Sequence, residues 1–265
     1  MAKTYPVQSQ QYNELVCTAG LRIDTEPYTL IRLYPVPFRQ LSPESQYSKW
    51  QVVRAKIRKR EKDHRPESFG VDSDRIVTGE KIGTRNGWRE RCSYLNSYLG
   101  QTDACTLLSN ARKDKTAAQS LALVKPREIK DVFLRINPEY EKARKEKPKQ
   151  ESVDTLFGPK LHPVYPSPVI FKYTYLCQSP NCRSHKQSVI DWEVQATAYK
   201  EWQKNGREGV EKTIRQKFID HICSKDKDLW FFVGNAHKYP ADFMILSFFY
   251  PDYGVVEQTQ PMLFS

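Results

Sequence analysis

Hydrophobic and polar side chains alternate over several short stretches of the chain, and each stretch predicts a strand. In residues 14–38, "ELVCTAGLRIDTEPYTLIRLYPVPF", Leu15, Cys17, Ala19, Leu21 and Ile23 fall on one side. "DTEPY" supplies turn chemistry before a second strand from Thr29 to about Val36, and Pro35 and Pro37 stop the pairing. The stretch reads as a β-hairpin. A third element begins at Trp50 in "WQVVRAKIRKREKDHRPES". At period 2 its Val53, Ala55 and Ile57 face one way, while Arg54, Lys56, Arg58, Arg60 and Lys62 face the other. A short strand around 75–78, one or two short helices over 86–115, and two strands in "AAQSLALVKPREIKDVFLRI" split by Pro126 complete a small β-barrel.

Residues 138–152 are almost devoid of apolar side chains, so a linker or exposed loop is expected there. The apolar pattern restarts after Gly158 with the strand "PVIFKYTYLC". "DWEVQATAYKEW" is helical, with Asp191 as N-cap and Trp192, Ala196, Tyr199 and Trp202 at 3-to-4 spacing. After Gly206 a second amphipathic helix carries Val210, Ile214, Phe218 and Ile222. "LWFFVGNAHKYPADFMILSFFYP" gives two strongly apolar strands about a turn. The fold class is therefore α+β and predominantly β. Residues 1–137 form a barrel domain, 138–157 a charged linker or exposed loop, and 158–265 an α+β domain with a Cys/His knuckle.

Charge changes the picture. Lys and Arg total 42 against 31 Asp and Glu, a net +11, which favours a polyanionic partner, nucleic acid before an acidic membrane surface. The longest apolar runs are too short to cross a bilayer, and "MAKTYPVQSQQYNE" has no apolar core of a secretory signal, so a cytoplasmic location is expected. Alternate strand residues stand about 6.6 Å apart, a spacing that lets a row of cations track the phosphates of a single strand. Arg65, Arg85, Arg89 and Arg91 extend that patch, and Trp88 in "TRNGWRER" offers a plane for base stacking. One or two charges would suffice merely to protect an edge strand from aggregation. In "DHRPES", local pairing of Asp63, Arg65 and Glu67 is the cheaper account, with Arg65 the residue chosen as a binding element.

Cysteine and histidine add a second constellation. Cys177, Cys182 and His185 form C-x4-C-x2-H on a turn leaving a strand, and thiolate with imidazole suits zinc. Cys223 or His221, at the end of the amphipathic helix, is the expected fourth ligand, with Cys223 better placed. Four ligands make a closed structural site. Asp191 and Glu193 in "VIDWEV" echo the carboxylate pair of metal-dependent nucleases, but Gln195 stands where the lysine would, and helix capping accounts for Asp191. No phosphate-cradling Gly-rich loop or nucleophile motif is present.

The segments "VCTAGLRID…IRLYPVPFR", "DHRPES", "IGTRNGW" and "SLALVKP", with "CQSPNCRSHKQSVIDWE" and "FFVGNAHKYPADF", resemble prokaryotic proteins described as carrying a dual OB-fold domain. The resemblance implies OB-like barrels, which commonly bind single-stranded nucleic acid or oligosaccharide on one sheet face. The expectation is thus a non-enzymatic protein binding single-stranded nucleic acid with little sequence preference, as part of a larger nucleoprotein, defence-type system. A metal-dependent nuclease, or an adaptor whose basic face docks an acidic protein subunit, are the alternatives.

Overall fold

A computed structural model describes residues 2–9, 13–146 and 165–259. The chain opens with strands β1 (Ala2–Lys3), β2 (Val7–Ser9), β3 (Asn13–Arg22), β4 (Thr29–Val36), β5 (Gln51–Arg54), β6 (Ile57–Lys59), β7 (Ser68–Val71) and β8 (Val77–Lys81). Helices α1 (Arg85–Leu95) and α2 (Ala104–Lys113) follow, then β9 (Leu121–Val124), β10 (Pro126–Ile136) and α3 (Pro138–Lys145). The last stretch carries β11 (Val169–Cys177), β12 (His185–Ser188), α4 (Trp192–Arg215), β13 (Trp230–Ala236), β14 (Tyr239–Phe249) and α5 (Val255–Thr259). The protein is a mixed α+β fold with more strand than helix.

The expected hairpin is β3 on β4, with Ala19 opposite Arg32. It sits in a sheet of order β1-β3-β4-β7-β6, with β2 also on β3 and β4·β7 the parallel pair. No closed barrel forms among the described residues. The barrel was expected to include residues 121–136, but these leave it: β9 pairs with β13, and β10 pairs with β11 along its whole length. The reason lies in "LALV", whose four side chains are all buried. Ala122 and Val124 enter one core, with Phe231 and Val233 of β13, while Leu121 and Leu123 enter another, with Trp230 and Phe232. A strand apolar on both faces needs cover on both, and the β14-β13-β9 sheet is the shared middle layer that provides it.

The first core fills the space between that sheet, the β10-β11-β12 sheet and helices α2 and α4, around Phe171, Tyr173 and Tyr175. The second lies beneath the N-terminal sheet and gathers Ala19, Leu30 and Trp50 with Cys92 and Leu95 of α1. Strands β9 and β10, before residue 137, thus pair with strands that follow it. The polar stretch after it begins as α3, capped by Asn137, with Pro138 at the first helical position. Glu139 and Glu141 lie in its first turn and Lys142, Arg144 and Lys145 in its last, so the alternating charges complement the helix dipole. Residues 147–157 of the expected linker fall outside the described residues. Helix α4 starts where Asp191 accepts the Glu193 N–H at 2.7 Å, and it kinks at Gly206, whose φ of 64° reproduces the division read from the sequence.

Candidate functional site

Four side chains with metal-ligand chemistry converge where two elements meet. Strand β11 ends on Cys177, the following turn carries Cys182, and β12 starts at His185. The turn is closed by the Cys182 N–H donating to Ser179 O at 3.2 Å. Helix α2 brings Cys105, in the turn capped by Asp103, whose Oδ1 accepts the N–H of Cys105 at 2.9 Å and of Thr106 at 3.1 Å. The ligand atoms of Cys105, Cys177, Cys182 and His185 all lie within 4.8 Å of one another. Cys105 Sγ stands 3.6 Å from Cys177 Sγ and 3.3 Å from His185 Nε2. A tetrahedral ion with metal–sulfur bonds of about 2.3 Å separates its sulfurs by about 3.8 Å, so these residues can hold a metal ion. Burial lowers the pKa of His185, which favours the neutral imidazole that ligates.

The fourth member is Cys105 and not Cys223. Cys223 is exposed at the far end of the helical segment, 3.9 Å from Tyr173 Oη, and His221 packs against the ring of Tyr250. Local spacing could not reveal Cys105, which lies 72 residues before Cys177. Only tertiary packing, which sets the start of α2 beside the end of β11 with Cys177 Sγ 3.4 Å from Asp103 Oδ1, makes them neighbours.

A second constellation lines a cleft of about 440 Å³ between the N-terminal sheet and the start of α4. Lys49 Nζ lies 3.1 Å from Glu193 Oε2 and 3.5 Å from Asp191 Oδ2, so the lysine missing from "VIDWEV" arrives from a distant loop. Asp191 is buried, and its Oδ2 also accepts from Ser247 Oγ at 2.8 Å. Burial pushes the Asp191 carboxyl upward while the Lys49 charge opposes it. Burial acts to lower Lys49, but the two carboxylates outweigh it and raise its pKa. Opposite stands Arg91, held over the rings of Trp50 and Trp88 at 4.8 and 4.6 Å, with Nε and Nη2 both donating to Ile82 O. Lys3 lies 3.8 Å above the Phe38 ring and donates to Tyr47 O, and burial lowers its ammonium to about 8.

The residues expected to contact nucleic acid divide into three groups. Arg54, Lys56 and Arg58 are exposed, and none has an ion pair or side-chain hydrogen bond among the described residues. The strand carrying them is broken: β5 pairs with β8, and β6 with β7. The alternation nevertheless survives the break in burial: Val53, Ala55 and Ile57 are half-buried along a groove of about 460 Å³ that Arg54 also borders, while Arg54, Lys56 and Arg58 are exposed. The stem of Arg60 lies beside that of Arg58 over Gly70, and its guanidinium donates to Tyr34 O at 2.7 Å. Lys62 and Arg85 are exposed, and exposed Arg89 donates to Gln258 at 2.9 Å.

Trp88 and Arg91 do not present themselves to the open surface. Trp88 packs on Tyr250 and Phe249, and both it and Arg91 line the cleft. Arg65 lies inside the fold, apart from the exposed row. It is buried, paired with Asp63 at 2.7 Å and donating to Asn235 O of β13 at 2.8 Å. Glu67 of the same motif accepts from Ser120 N and Oγ. "DHRPES" therefore fastens the N-terminal sheet to the middle layer.

Residues 100–265 match the family described as "Domain of unknown function (DUF8757)". The chain belongs to this family. Residues 1–97 match a second description, "Domain of unknown function (DUF8758)". The junction falls between α1 and α2, so β9 and β10 lie on the C-terminal side, as their pairing requires. No curated protein and no solved structure matches the chain. Among the described residues, no helix is long and apolar enough to cross a membrane.

Proposed function

We propose that the protein binds single-stranded nucleic acid along its phosphate backbone, with little sequence preference, and that the Cys105–Cys177–Cys182–His185 cluster holds a structural zinc ion. The observation that carries the binding reading is the row Arg54, Lys56 and Arg58, exposed and without counter-ions among the described residues, beside a groove with apolar walls. Uncompensated cations in file suit a polymer of phosphates, and apolar walls suit unpaired bases better than a duplex. Four thiolate and imidazole ligands leave no open coordination position, which fits a structural ion.

In a titration of a labelled single strand across a salt series, each phosphate contact contributes about 0.7 to the slope of log affinity against log salt. Changing Arg54, Lys56 and Arg58 together to Glu is expected to flatten that slope by about 2, the sum over three contacts, and to weaken binding sharply at low salt. Unchanged affinity and slope would remove the role assigned to this row. The meeting of Lys49 with Asp191 and Glu193 favours a second reading, a metal-dependent nuclease. Magnesium-dependent cutting that disappears in Asp191→Ala would install it, whereas an intact strand after incubation leaves the binding reading in place.

A further inference from the structure

The cleft beside α4 contains an electrostatic imbalance that its own residues do not resolve. Arg91 is only 7% exposed, and neither it nor Lys3 forms an ion pair with a carboxylate among the described residues. Both are anchored through neutral carbonyls, Ile82 O and Tyr47 O. Withdrawing a cation from water without a counter-charge is costly, and the cost falls when an anion enters the same space. Lys49 and Lys81 also line the cleft, against Asp191 and Glu193. Four cations and two carboxylates leave a surplus of two positive charges.

The walls are equally unusual. Trp50 and Trp88 have φ of 62° and 74°, two of the four non-glycine residues with positive φ among the described residues. Bulky side chains seldom adopt that conformation, and where they do the surrounding structure enforces it, often at a ligand site. The turn before Trp88 depends on Gly87, at φ 63°, where a Cβ would stand 2.8 Å from Val255 Cγ2 and 2.9 Å from Asp252 Oδ2. The turn is thus locked from behind. Its effect is to set the Trp88 ring against the Arg91 guanidinium, edge-on to Trp50, so that the two indoles form a corner around that cation.

We propose that the cleft binds the phosphomonoester of a nucleotide, with Lys3, Lys49, Lys81 and Arg91 around the phosphate and the tryptophan wall beside the base. A phosphomonoester carries about −1.5 to −2 near pH 7, the charge the cleft lacks. Its volume of about 440 Å³ lies within the range of small-ligand sites. The phosphate could end a strand or belong to a free mononucleotide. The cleft adjoins the apolar groove, sharing Thr18, Tyr47, Ser48 and Trp50 with it, so a strand lying along the Arg54 row can deliver its terminus there. That form of the inference rests on the nucleic-acid reading above.

Adenosine 5′-monophosphate and adenosine, titrated separately while tryptophan fluorescence is followed, test the phosphate requirement. Single strands bearing a 5′-phosphate, a 3′-phosphate or neither test delivery by a polymer. Expected are binding of the monophosphate at least tenfold tighter than adenosine, and loss of that preference in Lys81→Glu and in Lys3→Met. Lys81 is exposed, so its substitution leaves folding intact, and the thermal midpoint checks Lys3→Met. A terminal phosphate that tightens a strand tenfold identifies the polymer as the source; monophosphate binding without that effect identifies the free nucleotide. Equal binding of adenosine and its monophosphate, together with equal binding of all three strands, overturns the proposal while leaving backbone binding intact. Failure of every strand with retained monophosphate preference overturns backbone binding and keeps the cleft.

Discussion

A Cys105→Ser chain is expected to lose the proposed zinc and several kilocalories per mole of stability, while Cys223→Ser keeps both. Elemental analysis should find one zinc per chain in the wild type and in Cys223→Ser, and none in Cys105→Ser. The contrast is sharp because Cys105 Sγ lies 3.3 Å from His185 Nε2, whereas Cys223 sits apart at the end of the α4 segment. A serine hydroxyl remains protonated near neutral pH and is a poor zinc ligand, so three ligands remain where a closed site needs four. An ion that binds the folded chain alone, present at about 1,000 times its dissociation constant, stabilises by about 4 kcal/mol. A chelator should remove that increment from the wild type and change the Cys105→Ser midpoint little. Thiolate ligation competes with protonation, so the wild-type affinity should fall as pH is lowered. Metal retained in Cys105→Ser, or lost in Cys223→Ser, would return the fourth position to the helix end.

Local pattern revealed what local energetics decides. The β3–β4 hairpin, the β13–β14 pair and the two segments of α4 each follow from alternation, a turn or a cap contained within some twenty-five residues. Three of the cluster's four members were legible for the same reason, since one turn carries them. Features set by distant pairing were not legible. The apolar run of β9 told of burial on both faces but not that β13 would share it. Cys105 had no neighbouring motif, and Lys49 gave no sign that it would complete the pair Asp191 and Glu193. The row Arg54, Lys56 and Arg58 remains exposed because it needs nothing from afar, whereas Trp88 and Arg91 were drawn inward by Phe249, Tyr250 and Trp50. Period-2 spacing fixes which side of a strand a residue takes, but not what the rest of the chain lays over that side.

Arg65 separates these two kinds of cation most clearly, and Arg65→Met is expected to cost about 3–5 kcal/mol, the range for breaking a buried pair by removing one partner. The guanidinium meets Asp63 through two parallel bonds, Nε to Oδ1 at 2.9 Å and Nη2 to Oδ2 at 2.7 Å, while Nη1 reaches Asn235 O. Their side chains are 9% and 7% exposed, so methionine would leave a desolvated carboxylate and an unmatched carbonyl. Lysine should rescue little, lacking the planar fork. Urea unfolding should register the loss as a lower midpoint with unchanged slope. Burial alone would raise the Asp63 pKa, but the hydrogen bonds from Arg65 and its adjacent charge prevail and hold it well below the carboxylate range. A depressed folded pKa contributes stability that is complete above the unfolded value of about 3.9 and drains away as pH falls through the folded one. Wild-type stability should therefore decline below about pH 4 more steeply than that of Asp63→Asn, which has no carboxyl there to titrate. The salt slope of nucleic-acid binding should be the same in Arg65→Met as in wild type. A flattened slope with an unmoved urea midpoint would mean that Arg65 leaves Asp63 to meet phosphate, and the clasp between the N-terminal sheet and β13 would have to be sought elsewhere.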